Sequence, residues 1–138
     1  MQFPLTLNSL VAHQWQCDHF GHMNARHYAS AFDDALFIFW SHAGVVIPDR
    51  GQPGTIPVTA QLKIDYLSEV KAGEILHIEG SPVRIGGKSV TLDLTMREAA
   101  TGRTVATAEV VEVFFDAIAR SSAPIPSDVR AALEGGPR

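Results

Sequence analysis

The segment ARHYASAFDDALFIFWSHA, residues 25–43, decides how the rest of the chain is read. Tyr28, Phe32, Ala35, Leu36, Phe39 and Ala43 recur at three- and four-residue intervals, which puts them on one stripe of an α-helix. Asn24 precedes the segment as an N-cap, because its side chain can accept from the unpaired N–H groups of a first turn. Gly44 follows as a C-cap, where glycine tolerates the left-handed conformation. Phe37, Ile38 and Trp40 spread apolar surface beyond the stripe. A helix that is apolar nearly all round is buried. In a chain of 138 residues only a sheet wrapped around it can do the burying.

The flanking sequence supplies such a sheet. Upstream, Gln2–Trp15 reads as a first strand with imperfect alternation, and Gln16–Asn24 as a polar, histidine-rich loop with Gly21 in it. Downstream, Val45–Pro57 is a connecting loop carrying Pro48, Gly51, Pro53 and Gly54. Val58, Ala60, Leu62, Ile64 and Tyr66 then alternate with Thr59, Gln61, Lys63 and Asp65, the period of a half-buried strand. Ala72-Gly73-Glu74 turns into a strand over Ile75–Ile85, and Gly86-Gly87 makes a tight hairpin turn. Val90, Leu92, Leu94 and Met96 alternate again, and Thr101-Gly102 leads to a long last strand over Arg103–Ala117. Its Val110–Phe115 run is apolar on both faces, as in a central strand. In the tail, Ser127 caps a short helix Asp128–Leu133, and Gly135–Arg138 frays. The expectation is one α+β domain over residues 1–138, with its core at about 5–117 and a tail at 118–138. One long central helix packs against a curled, antiparallel, five-stranded sheet.

Composition narrows the function. Apolar residues make up 46% and charged residues 19%, enough for a real core without disulfides or structural metal. A formal charge of −4 argues against a nucleic-acid partner, which calls for a basic face. The single cysteine, Cys17, excludes an intrachain disulfide and reads as cytoplasmic. No apolar run approaches the roughly 20 residues that span a bilayer. Met1–Val11 lacks a basic leader and a cleavage site.

Chemistry-bearing residues gather before the helix. Asp18 lies in a loop that runs into the helix N-terminus, where N–H groups and the dipole favour developing negative charge. A carboxylate there can act as base or nucleophile on a carbonyl polarised by those groups. It can equally be a loop or capping acid. His13, His19, His22 and His27 crowd the same region, but no Cys-x-x-Cys or His-Glu-x-x-His spacing accompanies them, so no metal is expected. Cys17 has no base beside it in sequence and reads as a small apolar residue. Asp33 and Asp34 project about 100° apart on the helix, so at most one faces a given site; solvent or a subunit interface takes them better.

The run Asp18-His-Phe-Gly-His-Met-Asn24, followed by Tyr28, Phe32 and Ala35, resembles the 4-hydroxybenzoyl-CoA thioesterase family of hotdog proteins. That family shows an Asp, a Gly three residues on, often His and Asn with one residue between, then a Tyr and an aromatic on the central helix. Pro57–Leu67, Ala72-Gly73-Glu74 and Val110–Phe115 resemble it more generically, so the likeness spans about Leu5–Ala117. The resemblance implies a hotdog fold, and a dimer with two sites at the subunit interface, often paired into a tetramer. It implies hydrolysis of an acyl-coenzyme A without a cofactor. Asp18 matches the catalytic nucleophile or general base, and Tyr28 a position whose backbone N–H polarises the thioester carbonyl. Gly21 and Asn24 of the motif fall to substrate binding. Coenzyme A phosphates need cations, and the resemblance places Lys88 with Ser89, beside Arg84 and the Gly86-Gly87 turn, at the nucleotide end. Many members carry a second acid two residues before the catalytic Asp; here it is Gln16. His22 is similar in position to a catalytic histidine of plant acyl-carrier-protein thioesterases, although Phe20 stands where those carry Asn. Two other readings compete. One is a hotdog hydratase or dehydratase using Asp18 and His22, without the Asp-x-Asn-Pro-x-x-His-like pattern of that group. The other is a non-catalytic domain that binds acyl-CoA.

Overall fold

The central helix α1 runs Ala25–His42, and its flanking residues close both ends. In the computed structural model, which describes residues 1–135, the Asn24 side chain accepts from the Arg26 N–H at 3.2 Å. At the other end Gly44 adopts φ +90°. Its N–H donates to the Ser41 carbonyl, and the Val45 N–H donates to the Trp40 carbonyl at 2.9 Å. This paired ending needs a left-handed residue, which glycine supplies without a Cβ clash. Residues 136–138 of the expected fraying terminus lie outside the described residues.

All six residues of the stripe, Tyr28, Phe32, Ala35, Leu36, Phe39 and Ala43, are buried. The burial is one-sided, however. Phe37 is 62% exposed, and Asp33 and Asp34 share that open side. All-round burial is therefore not achieved within one chain. The helix presents an apolar face to the sheet and a mixed face outward.

The sheet consists of β1 (Leu5–Val11), β2 (Thr55–Tyr66), β3 (Ile75–Ile85), β4 (Ser89–Glu98) and β5 (Thr104–Asp116). Their order is β1-β3-β4-β5-β2, and every pairing is antiparallel. A two-residue β6 (Ser121–Ser122) adds to the end of β5. With α1 laid across the sheet, this is the hotdog arrangement. The core joins Phe32 and Phe39 to Leu76 and Ile78 of β3, Val90, Leu92, Leu94 and Met96 of β4, and Val110 and Phe114 of β5. Alternation in β4 is thus read correctly from sequence.

Three strand expectations change. The first strand stops at Val11, and a single 3₁₀ turn over Gln14–Gln16 follows. Its imperfect alternation has a cause, since the register against β3 shifts between Thr6 and Ser9. Second, β2 begins at Thr55 and includes Pro57. A proline cannot donate to a ladder, but β2 is an edge strand, so that donor is not needed. Third, β2 is not half-buried within the chain: Val58, Leu62 and Tyr66 are 40%, 38% and 52% exposed. A register shift between Thr59 and Gln61 also breaks the period.

After β6 the tail turns back on the sheet. Ile125 donates its N–H to the Gly87 carbonyl at 3.1 Å, and the Arg130 guanidinium donates to the Gly86 carbonyl. Val129 and Leu133 of α2 (Ser127–Leu133) are buried beneath it. Among the described residues no helix is long and apolar enough to cross a membrane.

Candidate active site

The loop before α1 is held by its own acid. Asp18 donates its N–H to the His22 carbonyl at 2.9 Å, and the Gly21 N–H donates to the Asp18 carbonyl at 3.0 Å. Gly21 sits at φ +83°, a conformation that residues with a Cβ rarely adopt. Asp18 Oδ1 accepts from the Phe20 N–H at 2.9 Å and the His22 N–H at 3.3 Å. One carboxyl oxygen thus maintains the loop, while Oδ2 has no hydrogen bond among the described residues. The loop is tied down by single bridges, Cys17 to Met23 and His22 to Lys71. The Asn24 N–H also donates to the Gln16 carbonyl at 2.9 Å.

The N–H groups at the helix start are unevenly engaged. Asn24 donates to Gln16, Arg26 to the Asn24 side chain, and His27 to the Asn24 carbonyl at 3.0 Å. Tyr28 is the fourth residue of α1, where the N–H enters the helix's own ladder. That leaves Ala25 as the first-turn amide without a partner among the described residues. The positive end of the helix dipole is therefore presented at Ala25.

Asp18, His22, Ala25 and Tyr28 line one cavity of about 640 Å³, together with Tyr66 and Glu69 from the end of β2 and the segment after it. The Tyr28 and Tyr66 rings meet edge-to-face, 5.1 Å between centroids and 89° between planes, and the Tyr66 hydroxyl donates to the Ala25 carbonyl at 3.4 Å. Burial, reinforced by the neighbouring Tyr66 and Glu74, pushes the Tyr28 phenol up to about 12. Tyr28 therefore stays protonated and keeps an O–H to donate. His22 Nε2 stands 3.1 Å from the Glu69 carboxylate. Arg103 steadies that segment, since it donates to the Glu69 carbonyl and pairs with Glu74, each at 3.2 Å.

Other sequence candidates lie apart from this cavity. Gly21 shapes the loop and Asn24 caps the helix, but neither lines the cavity. Lys88 and Ser89 are distant within one chain. Ser89 pairs with Val113, and Tyr66 with Ala106, seven residues away along β5 and so about 23 Å. His13 and His27 pack on the exposed Trp15, and His19 on the exposed Phe20. No three His, Cys, Asp or Glu side chains converge among the described residues. Cys17 Sγ donates to the His13 carbonyl at 3.5 Å. Sequence reasoning missed Tyr66 and Glu69: the first reads as the last apolar residue of an alternating strand, and the second has no pattern at all.

A family model described as the thioesterase-like superfamily matches residues 11–133. The chain belongs to that superfamily. The match covers the loop, the helix and every residue that lines the cavity. It is broader than the 4-hydroxybenzoyl-CoA thioesterase family. The thioesterase-superfamily chain is 28% identical over 131 residues to the L-carnitine dehydrogenase/betainyl-CoA thioesterase of Rhizobium meliloti. That match takes in 95% of this chain but only 26% of the relative, so the chain spans about a quarter of that protein's length. Among solved structures it is similar to a hypothetical protein from Staphylococcus aureus in complex with CoA. The TM-score is 0.84 at 21% identity, over 100% of this chain and 90% of that one. It is also similar to a 1,4-dihydroxy-2-naphthoyl-CoA thioesterase from Synechocystis, with a TM-score of 0.76 at 16% identity, over 93% and 95% of the two chains. Identities this low speak for the shared fold.

Proposed function

We propose that the Asp18 cavity hydrolyses the thioester of an acyl-coenzyme A. The observation that carries this reading is that Asp18, whose Oδ2 has no hydrogen bond among the described residues, and Ala25, whose helix-start N–H has no partner there, both line the same cavity. A thioester carbonyl between them would have its oxygen at the Ala25 amide and its carbon open to attack. Asp18 Oδ2 takes a proton from a water as that water adds to the carbon, or adds to the carbon itself, in which case loss of the thiolate leaves an anhydride that water opens afterwards. The oxyanion collapses, the C–S bond breaks, and the thiolate leaves. His22, oriented by Glu69, is placed to return a proton to the sulfur. In this reading the polarising amide is Ala25, because the Tyr28 amide belongs to the helix ladder.

Two further elements complete the proposal. The open face of α1 and the apolar residues of edge strand β2 call for a second copy of the chain, because a long edge strand is a template for pairing. A homodimer, or a dimer of dimers, buries Phe37, Val58 and Leu62. Lys88 and Ser89 then serve the nucleotide of a substrate bound in another copy's cavity, since their own lies too far away. The test is thiol release over a panel of acyl-CoA esters, and the name of the Rhizobium relative puts betainyl-CoA in the first round. Release from at least one ester, abolished in Asp18→Asn, is the expected result. A panel without release, using protein shown to be folded, would leave an acyl-CoA-binding domain as the reading.

A further inference from the structure

A second cavity, of about 370 Å³, opens beside the C-terminal half of α1. It is walled by Asp33, Phe37 and Trp40 of α1, Val58 and Thr59 of β2, and Glu112 of β5. Twelve residues of helix separate Tyr28 from Trp40, about 18 Å, so within one chain this is not the Asp18 cavity.

Its wall holds an unusual group. Glu112 is only 2% exposed. The Trp40 indole N–H donates to Oε1 at 2.9 Å and fixes the carboxyl. Oε2 is buried and makes no well-formed hydrogen bond among the described residues; the Thr59 hydroxyl, on the residue paired with Glu112 across β2 and β5, is its only polar neighbour there. A buried polar atom without a partner is costly and calls for an explanation. The surroundings indicate which partner would fit. Two acids, Glu112 and Asp33, belong to the wall and no lysine, arginine or histidine does. The remaining wall is aromatic and aliphatic apart from the hydroxyls of Ser41 and Thr59.

We propose that this cavity binds a small organic cation, an alkylammonium or quaternary ammonium group, with Glu112 and Asp33 supplying the charge and Trp40 and Phe37 the aromatic wall. Aromatic rings with carboxylates are the chemistry that holds quaternary ammonium groups, and the volume falls within the range of small-ligand pockets. Burial, with the charge of Asp33 adding to it, raises the Glu112 pKa against the pull of Thr59 and Trp40. The empty site therefore keeps its proton to higher pH than a free carboxyl does. An entering cation favours the carboxylate, so affinity rises with pH across the range in which Glu112 loses its proton. Asp33 is the charged group that acts on Glu112 from the elements packed against it. The same chemistry has two sources, a free ammonium compound or the cationic end of an acyl group whose thioester sits in a neighbouring copy.

The binding test needs no turnover, so it stands whether or not the hydrolytic reading survives. The chain has two tryptophans, Trp15 and Trp40, and Trp15→Phe leaves Trp40 as the only indole. In that background, tetramethylammonium chloride and tert-butyl alcohol are titrated at constant ionic strength while Trp40 fluorescence is followed. The cation is expected to saturate, bind at least tenfold more tightly than the alcohol, and tighten as pH rises. Glu112→Gln should remove the tenfold preference and leave alcohol binding unchanged. Should that variant not fold, Asp33→Asn should weaken the cation several-fold. The sources are separated by comparing kcat/KM for an acyl-CoA ending in a trimethylammonium group with that for its neutral tert-butyl isostere. A charge preference that disappears in Glu112→Gln assigns the acyl group, and one that survives assigns a free ligand. Equal binding of cation and alcohol by the Trp15→Phe protein overturns the proposal, and so does undiminished cation binding in a folded Glu112→Gln protein.

Discussion

Replacing Asp18 by asparagine and by alanine separates its two tasks, because its two oxygens do different things. Oδ1 accepts from the Phe20 and His22 N–H groups and shapes the loop, while Oδ2 has no hydrogen bond among the described residues. Asparagine keeps an oxygen for the loop. It turns two charge-assisted bonds into neutral ones at a half-buried position, a loss of about 1 kcal/mol. Alanine deletes both acceptors and leaves two N–H groups unpaired, a loss of about 2–3 kcal/mol. Neither variant has an oxygen that can take a proton or attack carbon. Turnover should therefore fall by about 10²–10⁴ in both, equivalent to about 3–5 kcal/mol on the barrier. Thiol release followed with dithiobis(nitrobenzoate) and urea unfolding measure the two effects independently. Near-native thiol release in the asparagine variant would refute the catalytic assignment. Equal destabilisation of the two variants would refute the division of labour between the oxygens.

Three other outcomes follow from the same structure. Burial raises the Glu112 pKa in the folded chain, so as pH rises above the ordinary value of 4.5 the unfolded chain loses that proton first and stability falls until the folded carboxyl ionises too; melting scans from pH 4.5 upward should show a decline that Glu112→Gln flattens, and parallel curves would contradict it. Leu62→Glu on β2 should split the assembly, seen as a fall in mass by light scattering with circular dichroism unchanged, and an unaltered mass would place the contact elsewhere. Tyr28→Phe should leave the pH profile of thiol release unchanged below about pH 9, because the phenol titrates near 12; a lost basic limb would show that Tyr28 ionises during the reaction.

Much of the fold was legible because helix and strand periods differ. The stripe from Tyr28 to Ala43 names the sheet-facing residues of α1, and Val90 to Met96 names those of β4. Legibility failed where the deciding partner lies outside the segment. The β2 alternation expects a cover, but among the described residues Val58 and Leu62 stay well exposed, and Tyr66 is covered on one side only, by Tyr28. Pro57 looks like loop until β2 is known to be an edge. For the site, Asp18 and His22 stand out as polar residues before an apolar helix. The structure brings Glu69 to His22 through antiparallel pairing, which leaves no mark in local sequence. Glu112 was hidden inside an apolar strand, where a single acid looks like an outward-facing residue.

The strand order has a consequence for how the chain is made. Among the five long strands only β3-β4 and β4-β5 are neighbours in both sequence and space. β1 waits for β3, and Thr55–Tyr66 waits for Thr104–Asp116. At a few residues per second on the ribosome, β2 has to emerge, with its valine, isoleucine and leucine, seconds before its partner does. During that interval the strand carries neither its neighbour from the same chain nor a second copy. Pro57 and the register shift after Thr59 interrupt its regular hydrogen-bonding edge. The two irregularities that blurred the reading of β2 are of the kind that make an unpaired strand a poorer template for joining the wrong sheet.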